Sequence, residues 1–167
     1  MNTRRLQGLA LILSAICFLL IGLIDPRTAM FDVISTIGVI MFILGIPAVY
    51  SAQPTGWIGL AGIILLELAA LISLGFRFEV LPSDFESSLA MTSAVLGTLG
   101  AVIIGWLTIR EGVFPSWVGW VFLAQGLLNL LVGLFDFGSL AGVFRILLPS
   151  LQAVALLAYG YFIFRKA

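Results

Sequence analysis

The chain has 167 residues, 62% of them hydrophobic and 10% charged, with a mean hydropathy of +1.22, whereas soluble domains run at about 45–50% apolar and about 25% charged. So few charges cannot cover an 18.0 kDa particle in water, which excludes a soluble globule and points to the bilayer. Eight basic against eight acidic side chains leave no net field for nucleic acid, one cysteine cannot close an intrachain disulfide, and the lack of histidine removes imidazole ligation of haem, chlorophyll, zinc or copper and every His-based triad.

Six apolar runs are each long enough to cross a hydrocarbon core: Leu6 to Ile24, Met30 to Tyr50, Trp57 to Gly75, Leu89 to Ile109, Trp117 to Phe135 and Val143 to Phe164. None alternates as a membrane strand would, so the fold class expected is all-α, a polytopic membrane protein of six transmembrane helices. The first run follows Arg4 and Arg5 like a signal peptide, but it is long and no A-x-A site follows it, so it is expected to stay in the mature chain. Asp25-Pro26 reads as an N-cap followed by proline at the first position of the second helix, and Ser83 with Glu86 has capping-box spacing before the fourth. Pro54 and Pro115 mark returns, and Pro47 and Pro149 are expected to kink the spans that hold them. The segment from Phe76 to Glu86 mixes Phe78 and Phe85 with acids and Arg77, and is expected to lie along the interface.

Basic residues set the direction. With the N-terminus inside, Arg4, Arg5, Arg110, Arg165 and Lys166 are cytoplasmic, while Arg27, Arg77 and Arg145 are external. The same six-span count gathers Trp57, Trp106, Trp117, Trp120, Tyr50, Tyr159 and Tyr161 on the cytoplasmic side, where amphipathic rings belong at a headgroup boundary. The location expected is a prokaryotic cytoplasmic (inner) membrane with both termini inside.

Small residues recur. Gly8, Ala15 and Gly22 match Gly119, Gly126 and Gly133 at a shift of 111, and at a shift of 51 Gly59, Leu66 and Ser73 form a degraded copy. The even-numbered spans echo each other where Gly105 to Glu111 resembles Gly160 to Lys166. The chain therefore reads as one transmembrane domain of three tandem hairpins, about 1–53, 54–112 and 113–167. The seven-residue stripes suit close left-handed helix packing, and Ser93, Gly97, Ala101 and Gly105 form a small-xxx-small stripe suited to a right-handed crossing. These stripes serve either packing inside the bundle or docking of another membrane protein.

The hairpin that closes with Gly22-Leu23-Ile24-Asp25-Pro26 and continues to Ile43-Leu44-Gly45-Ile46 resembles the short repeat of the HdeD-like acid-resistance membrane proteins. That resemblance implies six helices in three hairpins, an inner-membrane location and no catalytic activity. It carries over no site residues.

Glu67 is the one ionisable side chain near the middle of a span, and with no Lys or Arg at its depth it is expected to be protonated or hydrogen-bonded. Gln125 and Asn129, one turn apart at the same depth, complete an intramembrane polar cluster. That cluster reads either as a relay for a proton or solute, or as interhelical bonding that fixes register. Ser14, Ser93, Thr98 and Gln152 read as ordinary packing residues, the hydroxyls bonding their own helix carbonyls. No phosphate loop, nucleophile elbow or carboxylate cluster appears, so no enzyme, cofactor or metal is expected. The function expected is a non-enzymatic membrane scaffold or accessory protein; a small-solute or proton-coupled carrier centred on Glu67, and a supernumerary subunit of a respiratory or photosynthetic complex, are the alternatives. The partners expected are the lipid bilayer and either another membrane protein or a second copy, and not nucleic acid.

Overall fold

Short-range chemistry fixes where the first two spans begin, with Asn2 and Thr28 as their N-caps. The computed structural model describes residues 2–53, 56–78, 80, 86–135 and 140–166, and all regular structure among them is helical. The helices are α1 (Thr3–Leu23), α2 (Ala29–Gly45), a short α3 (Pro47–Ala52), α4 (Gly56–Arg77), α5 (Glu86–Glu111), α6 (Ser116–Leu134) and α7 (Ala141–Lys166). Six helices are long and apolar enough to cross a membrane, α2 and α3 forming one interrupted span, Ala29–Ala52. The protein is an all-α, polytopic integral membrane protein.

The start of the second span differs from the sequence expectation by one turn. Asp25 Oδ1 accepts a hydrogen bond from Arg27 N at 3.0 Å, so Asp25 and Pro26 build the turn before the helix. The cap falls to Thr28, whose Oγ1 accepts from Phe31 N at 3.3 Å and donates to Asp25 O at 2.8 Å. Pro47 does more than kink its span: it ends α2 and sits at the first position of α3, where its missing N–H costs nothing. Pro149 stays inside α7. Ser83 lies outside the described residues, as does most of the segment expected at the interface; Phe78 and Val80 are exposed, and Arg77 reaches back to Asp32 at 3.7 Å and over the Phe31 ring at 5.9 Å.

The long helices alternate in direction and close into a ring, α1–α2–α4–α5–α6–α7 and back to α1, so that both termini share one end, the termini end. Two seams of the ring are built alike. A Cβ added at Gly8 would lie 3.0 Å from Gly160 O and 3.0 Å from Phe164 N, and one at Gly160 would lie 2.7 Å from Gly8 O. The α5·α6 seam repeats this: a Cβ at Gly119 would lie 2.5 Å from Gly105 O, and one at Gly105 would lie 2.8 Å from Gly119 O. Lipid gives no hydrophobic drive for helix association, so backbone-to-backbone approach of this kind supplies dispersion contact that larger residues would prevent.

Within hairpins a second register recurs. A Cβ at Gly45 would meet Leu11 Cγ at 2.7 Å and Leu11 N at 2.9 Å; a Cβ at Gly100 would meet Leu66 Cγ at 2.7 Å and Leu66 N at 3.0 Å. Leu11 thus corresponds to Leu66, a shift of 55 rather than the 51 that aligns the small residues of the sequence, and the difference is about one helical turn. At the same shift, Ser14 Oγ donates to Gly38 O at 2.8 Å in the first hairpin, and Ser93 Oγ donates to Ala69 O at 2.9 Å in the second, so donor and acceptor have exchanged helices. Thr98 Oγ1 donates to Gly126 O at 2.9 Å. These hydroxyls therefore bond across to the neighbouring helix and not to their own, a correction to the sequence expectation that follows from the close approach of the facing carbonyls.

The seven-residue stripes lie on these seams. Gly119 and Gly126 face α5, where a Cβ on Gly126 would meet Ala101 Cβ at 2.7 Å, whereas Gly133 is exposed, with Ala94 Cβ 3.9 Å from its would-be Cβ. Gly22 lies over Ile146 of α7, and Ala15 is fully buried. The α5 stripe divides: Gly105 and Ala101 face α6, while Gly97 and Ser93 face Ala69 of α4. Gly119→Ala is accordingly expected to lower stability in detergent by about 1–3 kcal/mol, because the clash is with backbone that cannot rotate away, and Gly133→Ala to leave it unchanged; paired thermal melts read the contrast directly.

Candidate functional site

Along the ring axis the side chains form a column. At the termini end Gln53, the C-cap of α3, donates from Nε2 to Thr108 Oγ1 of α5 at 3.0 Å, and the Thr108 and Tyr159 hydroxyls are 2.8 Å apart. All three are fully buried or nearly so, at 2%, 0% and 0% exposure, and every buried polar side-chain atom among the described residues has a partner. Aromatic edges pack around this bonded group: Phe114 against the Tyr159 ring at 5.0 Å between centroids, and Phe122 at 5.8 Å.

Phe122 is also the floor of a chamber of about 440 Å³ that runs to the far end of the ring, where Arg77 lines it. Its walls combine Phe18, Phe42 and Leu66 with the polar groups of Ser73, Ser93, Gln125, Asn129 and Gln152. A second cavity of about 400 Å³ between α1, α6 and α7 shares Phe18, Gln125, Asn129 and Gln152 with the first and reaches Arg145. Ser73 Oγ and Ser93 Oγ both bond the Ala69 carbonyl, at 3.1 and 2.9 Å, and lie 3.3 Å from each other. The carboxamides of Gln125, Asn129 and Gln152 line both cavities and make no hydrogen bond among the described residues; Gln125 and Gln152 are half-buried and Asn129 is exposed. Below the Tyr159 layer a small cavity of about 110 Å³ is lined by Phe114, Arg4 and Lys166. Polar chamber, aromatic floor, bonded triad and basic pocket thus follow one another down the axis.

The structure brings Gln125 and Asn129 together and leaves Glu67 apart. The buried stripe of α4 is Gly59, Gly62, Ile63, Leu66, Ala69 and Ala70; Glu67, half-buried, stands at its edge beside the exposed Ile64, Leu68 and Leu71, and lines neither cavity. Equal depth placed it with the carboxamides in the sequence, but depth does not fix the direction around the helix. Gln152 takes its place, as a chamber residue rather than a packing one. Tyr159 is a further correction: Trp57 is 78% and Trp120 59% exposed at the termini end, as headgroup aromatics should be, whereas Tyr159 is wholly buried in the core. Sequence reasoning missed the Gln53–Thr108–Tyr159 group, although Gln53 and Thr108 stand 55 residues apart, the spacing that also links Gly105 to Gly160.

No protein-family model matches the chain, and neither the curated proteins nor the solved structures contain a match to it.

Thr108→Val removes the hydroxyl that both Gln53 and Tyr159 use, leaving two buried polar groups without it, and should cost about 1–3 kcal/mol. Thr108→Ser keeps the hydroxyl and should recover most of that loss; a Val variant that melts with the wild type would show that the group adds nothing to stability.

Proposed function

We infer that the protein is a non-enzymatic membrane accessory protein whose working part is the far-end chamber, which receives a small amphipathic molecule from the leaflet at that end. The observation that carries this reading is the meeting of three unbonded carboxamides with aromatic walls in a cavity backed by Phe122 and the bonded triad. Pockets of about 300–1,000 Å³ with mostly apolar walls and a few convergent polar groups are the usual form of small-molecule sites. Among the described residues neither cavity is lined by a carboxylate or a thiol, and the two serines of the chamber are committed to a backbone carbonyl, so this lining offers hydrogen-bonding and apolar groups for binding. A tandem-hairpin build of the HdeD-like kind, in a prokaryotic cytoplasmic membrane with both termini inside, is compatible with the same reading. In that orientation the chamber faces outward.

Carriage across the bilayer would require Phe122, Tyr159 and Phe114 to part, and Glu67 stands outside that axial line. Ala94 lines the chamber, so Ala94→Trp should fill it. Native mass spectrometry of protein purified in mild detergent is expected to show a retained amphiphile on the wild type and on Glu67→Gln, and none on Ala94→Trp. Retention that survives Ala94→Trp, or that disappears with Glu67→Gln, would sink the chamber reading. Direction is tested separately: in a Cys17→Ser background, Val80→Cys at the far end should react with an impermeant thiol reagent from outside intact cells, and reaction from the inside alone would reverse the orientation.

A further inference from the structure

The small cavity at the termini end is separate from the chamber, and among the described residues the only polar side chains that line it are cations. Arg4 of α1 and Lys166 of α7, both exposed, stand over Ala48 and Ala52 of α3, Phe114 between α5 and α6, and Ile163 of α7. Ala48, Phe114 and Ile163 are buried, so charge at the surface meets an apolar floor.

Each cation is anchored on one backbone carbonyl. Arg4 Nη2 donates to Ser51 O at 3.4 Å, and Lys166 Nζ donates to Val113 O at 3.0 Å. A guanidinium has five N–H donors and an ammonium three, so each group is held by one bond and keeps others. Neither has an ion pair among the described residues. Five of the eight basic side chains, Arg4, Arg5, Arg110, Arg165 and Lys166, belong to this end. Against them the sequence places one acidic side chain, Glu111, and Arg110 holds it at 3.6 Å. An anion in the cavity therefore meets two charges that no carboxylate side chain claims.

Size and depth narrow the anion. At about 30 Å³ per water, a cavity of about 110 Å³ has room for roughly four waters, the bulk of a phosphate group and far less than a nucleotide or an acyl chain. The exposed Trp57, Trp106, Trp117 and Trp120 set the same end of the bundle at headgroup level, where phosphate is the oxyanion the bilayer itself supplies. Basic pockets between transmembrane helices are a recurrent form of anionic headgroup site.

We propose that this cavity is a phosphate site, in which one phosphate oxyanion, carried by an anionic lipid headgroup or free in solution, sits between Arg4 and Lys166. Arg4 lies in the first turn of α1 and Lys166 at the end of α7, so the bound group also fastens these two helices at their outermost turns.

The test uses the full chain in mild detergent, washed at high salt to strip lipid held by charge. It is then titrated with dioleoyl phosphatidylglycerol, dioleoyl phosphatidylcholine or inorganic phosphate, and read by native mass spectrometry and thermal melting. Phosphatidylglycerol should bind about tenfold more tightly than phosphatidylcholine and raise the melting temperature. Arg4→Gln with Lys166→Gln should remove both effects. Arg5→Gln with Arg165→Gln takes two charges from the same end but outside the cavity, and should leave both effects in place. Ala52→Leu fills the cavity with every charge kept and should also remove them, which covers a double variant that fails to fold. Inorganic phosphate that raises the melting temperature through Arg4 and Lys166 shows that the free ion suffices; phosphate without effect beside a bound phosphatidylglycerol assigns the site to the headgroup. Equal loss in the two double variants leaves only a diffuse basic end and overturns the proposal. So does a preference that survives Arg4→Gln with Lys166→Gln or Ala52→Leu, and so does equal binding of the two lipids with no effect of inorganic phosphate. Ala94→Trp acts at the chamber and should leave phosphate binding unchanged, so the two sites stand or fall separately.

Discussion

The ring depends on close approach of helix backbones, and at two of its seams the contact is reciprocal between glycines. At Gly8 with Gly160, and at Gly119 with Gly105, the Cα of one helix lies against the carbonyl of the next. In water such glycines would weaken a helix by roughly 1 kcal/mol each relative to alanine. In a bilayer the balance changes, since lipid tails solvate apolar side chains as well as other helices do, and closer approach is what separates protein contact from lipid contact. These seams tie α1 to α7 and α5 to α6, each joining one hairpin to another, and so help convert a linear array of hairpins into a ring.

The chamber exists because the pattern is not carried through. Where the two tight seams have glycine pairs, the corresponding positions between the first and second hairpins are Tyr50 and Ile63, and Pro47 interrupts the helix there. The α2·α4 seam is the most open of the ring. Within hairpins, the positions equivalent to Gly45 with Leu11 and to Gly100 with Leu66 become Ala155 and Phe122 in the third, so α6 and α7 cannot come as near. A ring of three identical hairpins would close on its axis. Larger residues at one seam and in one hairpin spread the far end, and the space is lined by what the sequence puts there: Gln125, Asn129 and Gln152, all from that third hairpin.

Hydropathy alone made the six spans legible, because a stretch that must cross about 30 Å of hydrocarbon has few acceptable compositions. Of the seven-residue stripe on α6, Gly119 and Gly126 lie against α5 while Gly133 is exposed, and Gly105 and Gly160 occupy corresponding places in two seams of the ring. What could not be read was direction around a helix. A shift of 51 and one of 55 differ by little more than a full turn, so both leave small residues on similar faces, and the packing of Leu66 on Gly100 together with the Ser93 bond to Ala69 distinguishes them. Glu67 was grouped with Gln125 and Asn129 for the same reason, and Tyr159 was set at the headgroups because Trp106 and Tyr161 lie close to it in register. Gln53 stands between two apolar runs, just before Pro54, and drew no attention in the sequence; its burial follows from the α3 turn that Pro47 begins.

The two ends of the axis also differ in the kind of polar group they hold, and the difference separates structure from binding. At the termini end Gln53, Thr108 and Tyr159 satisfy one another, so the group is closed and adds rigidity where three spans converge. In the chamber Gln125, Asn129 and Gln152 come from two helices and make no hydrogen bond among the described residues. Had packing been their only task, a bonded pair of the Thr98 to Gly126 kind would serve it with fewer unpaired atoms. Carboxamides also carry no charge to be stripped of water, which lets them stand open at a depth where a carboxylate or an ammonium would need a partner. Neutral amides below and, at the rim, the Arg145 guanidinium, which donates to the Ile24 carbonyl, therefore form a graded lining, charge at the surface and hydrogen-bonding groups deeper in.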